Sequence, residues 1–264
     1  MKKYIIIALG MISMSCTQKK EIPLPIAPPP VDEDFTTLVW FDEFNVNGAP
    51  DAAKWGYDIG NNNGWGNAEL QYYTNRPQNV IVEGGLLKIK ALKETFSGSA
   101  YTSARILSKD KFAFTYGKVE IKAKLPEGLG TWPALWMLGS NINTNPWPAC
   151  GEIDIMEHLG RDLNNIYGTL HYPGRFGGSA NGATKKISNA TTAFHIYSLE
   201  WTASTINIFV DGQLVHSVPN SSTLPFNRDF FFIMNVAMGG SFPGPVDPAV
   251  TSATMEVDYI RVYK

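Results

Sequence analysis

The chain has 264 residues, 44% of them hydrophobic, and Lys+Arg 22 against Asp+Glu 24 gives a formal charge of -2. That apolar share can fill one large core, and without a basic block interleaved with aromatics, nucleic acid is excluded as a partner. Trp 7, Tyr 11 and Gly 24, with few helix-favouring runs, indicate a β-rich chain with tight turns.

The first segment, MKKYIIIALGMISMSC, has two lysines, a short apolar run and small residues before Cys16. The run is too short to cross a bilayer as a helix and reads as a bacterial secretory signal over residues 1–15. A cysteine directly after the small residues marks Cys16 for lipidation, although Ser13 stands where such signals usually carry Leu. The expected product is a secreted, monomeric outer-membrane lipoprotein, facing the periplasm or the cell surface and touching the membrane only through its lipid. Cys150 is then the only other cysteine, so no intramolecular disulfide forms. Buried beside the acids described below, it reads as a small packing residue and not a nucleophile. Residues 16–34 contain IPLPIAPPP, a run that favours extended polyproline II and suits a tether. A single domain is expected from residue 35 to residue 264.

Within that domain the hydrophobic period is two. LKIKA (87–91) follows the turn EGG, and KVEIKAKL (118–125) turns Val119, Ile121, Ala123 and Leu125 inward. INIFVDGQLVH (206–216) reads as two strands joined at Asp211-Gly212, a hairpin signal. FFFIMNVAM (230–238) suits a strand covered on both faces, and MEVDYIRVYK closes the chain as another. No stretch shows a convincing helical stripe. The expected fold is all-β, an antiparallel sandwich or jelly roll.

GEIDIMEHLG (151–160) places Glu152, Asp154 and Glu157 within six residues. In an unbroken strand Glu157 would point inward with Ile153 and Ile155, where an unpaired carboxylate is costly. A β-bulge near Met156 resets the phase, so that 152, 154 and 157 project together. Three acids on one face can be a solvated acidic surface, a calcium site or a catalytic row. An extended strand wraps a cation poorly. Glycoside hydrolysis, by contrast, needs one carboxylate to attack and another, held protonated, to protonate the leaving oxygen. Mutual repulsion is expected to keep that acid protonated.

This stretch, with GTWPALWMLG and WPAC before it, resembles glycoside hydrolase family 16, in its laminarinase (endo-1,3-β-glucanase) branch. The likeness continues through WFDEF (40–44), WGNAELQYYT (65–74), SARI (103–106), FTYGKVEIKAKLP (114–126), GTLHYP (168–173) and EVDYIRVY (256–263). The resemblance implies a concanavalin A-like jelly roll with a concave cleft, and cleavage of β-1,3-glucan with retention through a covalent glycosyl-enzyme. Glu152 would be the nucleophile, Glu157 the general acid/base, and Asp154 the residue that hydrogen-bonds the nucleophile. No cofactor is implied for the chemistry.

Trp132, Trp136 and Trp147 crowd the segment before Glu152 and offer apolar platforms for sugar rings. The resemblance assigns Trp132 and Trp136 to the substrate, with Asn67 and Arg105 as contacts to sugar hydroxyls and His171 near the acid/base. His158 is expected to face away from Glu157. Phe242 stands where relatives often carry Trp. Glu43 and Asp258, with the Gly85 carbonyl, match ligands of a structural calcium in relatives. Read singly, the two acids could equally be exposed strand residues. Mixed-linkage glucan, a marine galactan, transglycosylation and glucan binding without catalysis remain open alternatives. The residue Met156, absent from the lichenase-type E-I-D-I-E pattern, favours the laminarinase side.

Overall fold

The computed structural model describes Met1 and residues 34–264. The signal-like stretch beyond Met1, Cys16 and the Pro-rich run lie outside the described residues. Asp34–Lys264 form one compact unit. Its strands are β1 (Leu38–Asp42), β2 (Gly56–Asp58), β3 (Gln71–Tyr73), β4 (Val80–Glu83), β5 (Leu86–Phe96) and β6 (Ser99–Ser103). There follow β7 (Arg105–Leu107), β8 (Gly117–Lys124), β9 (Thr131–Gly139), β10 (Glu152–His158), β11 (Asn165–His171) and β12 (Asn181–Lys186). The chain ends with β13 (His195–Trp201), β14 (Thr205–Val210), β15 (Gln213–Pro219), β16 (Phe230–Met238) and β17 (Ser252–Tyr263).

These strands make the two open sheets of a jelly-roll sandwich. The larger runs β15-β14-β13-β8-β17-β5-β6-β3, with β1 added to β17 and β4 to β5. The smaller runs β12-β11-β10-β9-β16-β7-β2. Between them lies a core to which alternate residues of most strands contribute, among them Val119, Ile121 and Ala123 from β8 and Met234 and Val236 from β16. The nine residues of β16 are all buried, as its apolar sequence requires, because β16 is central and covered on both faces. At the predicted hairpin Asp211 and Gly212 both adopt positive φ, 49° and 72°, the geometry that matches a two-residue turn to twisted strands.

The bulge falls where the acid spacing requires it. Against β9, Asp154 pairs with Trp136 and Met156 with Leu135, so Ile155 is the residue left over. Against β11 the register shifts between Asp154 and Glu157. Ile153, Ile155 and Met156 all enter the core at 0% exposure, so both residues of the irregularity are anchored by burial. Glu157, opposite Ala134 and Tyr167, is thereby turned to the same outer face as Glu152 and Asp154.

Deleting Met156 should restore plain alternation and leave Glu157 on the outer face. Losing one buried Met side chain is expected to cost about 2–3 kcal/mol, measurable by chemical denaturation. A chain that fails to fold would show that the sheet itself requires the extra residue.

Candidate active site

Register carries one row of side chains straight across the smaller sheet. Tyr167 on β11 faces Glu157 on β10, then Ala134 on β9, Asn235 on β16, Arg105 on β7 and Asp58 on β2. One step along the strands, Thr169 faces Asp154 and then Trp136; a further step brings His171 opposite Glu152. The outer face thus holds the three acids in a line, with His171 and Thr169 on one flank and the two indoles on the other.

Each acid is held differently. Glu157, 7% exposed, accepts from Trp132 Nε1 at 3.0 Å and from the Thr169 hydroxyl at 3.3 Å. Asp154, 4% exposed, has an Oδ2 with no aligned hydrogen bond, although His171 Nε2 lies 3.2 Å away. Glu152 Oε1 is 3.6 Å from the same nitrogen. Burial pushes all three carboxyl groups above the ordinary range, and Glu152 and Asp154 furthest. Charge repulsion is secondary: it adds to burial at Glu152 and Asp154, while the hydrogen bonds from Trp132 and Thr169 pull Glu157 back down. This corrects the expectation that repulsion is the main cause.

Three such groups titrate as a unit. Asp154, the most buried and with no aligned donor for its charge, is the natural resting place of a shared proton.

The walls are braced from behind. Arg105 lies between the rings of Trp65 and Trp136, its guanidinium carbon 4.7 and 4.8 Å from the two ring centres, and its Nε is 2.9 Å from Asp58. Trp136 donates to Asn235 Oδ1 at 2.8 Å, and Asn235 donates to the Tyr73 hydroxyl at 3.1 Å. Tyr73 and Gln71 both donate to Glu69, and Asn67 reaches the other oxygen of that carboxylate at 3.3 Å. Asn67 is therefore tied into a network that sequence reasoning missed. Its signals were present: Glu69, Gln71 and Tyr73 keep period two, and Asn235 is the one polar residue in FFFIMNVAM.

Other sequence readings divide as follows. His158 is fully buried on the opposite face, with Nε2 3.0 Å from the Leu163 carbonyl, and burial lowers its pKa. Cys150 is buried, its thiol pushed up to about 11 chiefly by desolvation, so it stays protonated. Trp147 is 41% exposed and covers the His171 ring at 5.7 Å. Phe242 packs edge-on against Trp132 and Tyr167, at 5.4 and 5.5 Å.

Two groups of residues bear on metals. Donor atoms of Glu152, Asp154 and His171 lie within 4.8 Å of one another, and on the far side of the ring His171 Nδ1 accepts the Gly177 N–H at 3.1 Å. At the β1–β17 edge, Glu43 accepts both Nε and a terminal nitrogen of Arg261, at 2.7 and 2.9 Å, and Asp258 pairs with Lys122 at 2.7 Å. Gly85 sits in the turn between β4 and β5. As arranged, these carboxylates do not fit the oxygen-only shell of roughly 6–8 ligands that calcium takes, because each already neutralises a cation.

A two-sheet β-sandwich that aligns buried carboxylates beside two indoles has the makings of an enzyme that opens bonds between sugars. Residues 67–261 match the model of Glycosyl hydrolases family 16, and the chain belongs to that family. It is 44% identical over 243 residues to the "Beta-glucanase" of Rhodothermus marinus, covering 86% of this chain and 85% of that protein. The laminarinase structure from Rhodothermus marinus superposes with a TM-score of 0.83 at 45% identity, over 86% of this chain and 97% of the other. LamA_E269S from Z. galactanivorans, solved with laminaritriose and laminaritetraose, gives 0.81 at 45% identity over 87% and 100%.

Two outcomes follow. A carboxyl whose folded pKa is raised contributes stability that is full below the unfolded value and lost as pH rises through the folded one. Asp154→Asn should therefore melt with the wild type near pH 4 and above it near pH 8, by about 2–4 °C for each kcal/mol of relieved strain; equal melts at both would contradict the burial argument. At the β1–β17 edge, the existing ion pairs predict the same melt in chelator and in added calcium, and a rise with calcium would restore the calcium expectation.

Proposed function

We propose that the chain is an endo-acting, retaining hydrolase of β-1,3-glucan. The observation that carries this reading is the phase of Glu157. The bulge brings it onto the face of Glu152, where Trp132 and Thr169 orient it. In the first step a Glu152 oxygen attacks the anomeric carbon while Glu157 gives its proton to the departing glycosidic oxygen. Protonated Asp154 donates to Glu152 beforehand and holds it ionised. In the second step Glu157 takes a proton from water, whose oxygen displaces Glu152 and restores the starting configuration.

β-1,3-glucan is favoured as substrate by the high identity and near-complete coverage of laminarinase structures. A relative described as a non-specific endo-beta-1,3(4)-glucanase, at 41% identity, makes mixed-linkage glucan the natural comparison. Anchoring through Cys16, an outer-membrane location and a monomeric state belong to the same proposal and rest on the sequence reading alone.

Incubating the protein with laminarin, lichenan and agarose and sizing the products tests substrate and mode together. Laminarin should yield mixed oligosaccharides whose first-formed reducing ends are β by proton NMR. Glu152→Gln and Glu157→Gln should each lower kcat by about 10²–10⁴-fold. Wild-type-like hydrolysis by either variant would overturn the assignment of roles.

A further inference from the structure

The mechanism leaves His171 without a task, although its Nε2 approaches two of the three acids. The other side of the ring is occupied by the segment beyond β11. Tyr172 and Arg175 exchange backbone hydrogen bonds at 2.9 Å, and the turn so closed leads into Gly177, whose N–H donates to His171 Nδ1 at 3.1 Å. Gly177 has φ of 55°, and a Cβ there would meet nothing within 4 Å. The glycine is thus suited to the site by its backbone conformation, which aims the amide, and not by lack of space. Trp147 covers the ring and meets Phe176 edge-on at 5.4 Å, so the segment is held against His171 from a second side.

An N–H that points at Nδ1 needs a lone pair there, so the neutral ring must carry its proton on Nε2. We propose that the Gly177 amide fixes His171 as the Nε2–H tautomer, which turns the ring proton toward the Asp154–Glu152 pair, 3.2 and 3.6 Å from Nε2, so that a small shift of the ring makes it their donor. This rests on the functional reading above and gives it a further positioning residue. His171 keeps its proton throughout. It stabilises the charge on Glu152 in the ground state and again on Glu152 as it departs in the second step. Glu157, on the same face, keeps the acid and base work to itself. Gly177 acts only through His171.

Two measurements on the full chain test this. The ring 15N shifts of His171, assigned by their loss in His171→Gln, should show an unprotonated Nδ1 and a protonated Nε2 in the neutral ring. A proton on Nδ1 overturns the proposal. In kinetics, glutamine can place an amide N–H near the position of Nε2, whereas asparagine reaches only that of Nδ1. His171→Gln should keep kcat within about tenfold of wild type. His171→Asn and His171→Ala should lose about 10–100-fold in kcat with KM little changed, the range of one hydrogen bond to a charged group. Equal losses in the glutamine and asparagine variants, or rescue by asparagine alone, overturn it as well. If no glucan is cleaved but Nε2 carries the proton, the functional reading fails while the tautomer assignment stands.

Discussion

The outer face depends on one irregularity in hydrogen-bond register. Two residues of β10, Ile155 and Met156, occupy the space opposite Leu135, and both are held by complete burial in the core. Burying two apolar side chains where one would fit a regular strand fixes the phase of everything after them. Glu157 faces outward because Ile155 and Met156 face inward. The chemistry of the outer surface is therefore set by packing on the hidden one.

The same arrangement creates electrostatic tension. Three carboxyl groups are nearly removed from water, and Arg105, which lies across the sheet from them, is committed to Asp58 and two indole rings. Desolvation, more than mutual repulsion, drives these groups toward their protonated forms. Trp132 and Thr169 then donate to Glu157, while His171 Nε2 lies 3.2 Å from Asp154 and 3.6 Å from Glu152. A fold that paired each acid with a lysine would hold all three ionised and could not keep a proton for transfer.

Much of this was legible in the sequence, for a physical reason. Period-two alternation is a local property, so β8, the hairpin β14–β15 and buried β16 could be read from their own residues. The bulge was readable because an inward Glu157 would be too costly, which turns a break in pattern into a prediction. What could not be read was pairing between distant segments. Nothing local in SARI says that Arg105 would lie between Trp65 and Trp136, and nothing in FFFIMNVAM says that Asn235 would link Trp136 to Tyr73. The carboxylates Glu43 and Asp258 were legible as acids, but their partners Arg261 and Lys122 come from register. The weight given to repulsion over desolvation failed similarly, since depth of burial is a property of the assembled sheet.

The row from Tyr167 to Asp58 crosses six strands, with each neighbour supplied by a different stretch of chain. Trp136 and its acceptor Asn235 are 99 residues apart, and Asn235 and Tyr73 are 162 apart. Such contacts close large loops and form late, since their entropic cost falls due before any stabilisation is returned. No fragment shorter than residues 58–235 can contain the row. Catalytic competence should accordingly appear as the final event of folding, and turnover would serve as a more exacting gauge of a finished molecule than its content of β-structure.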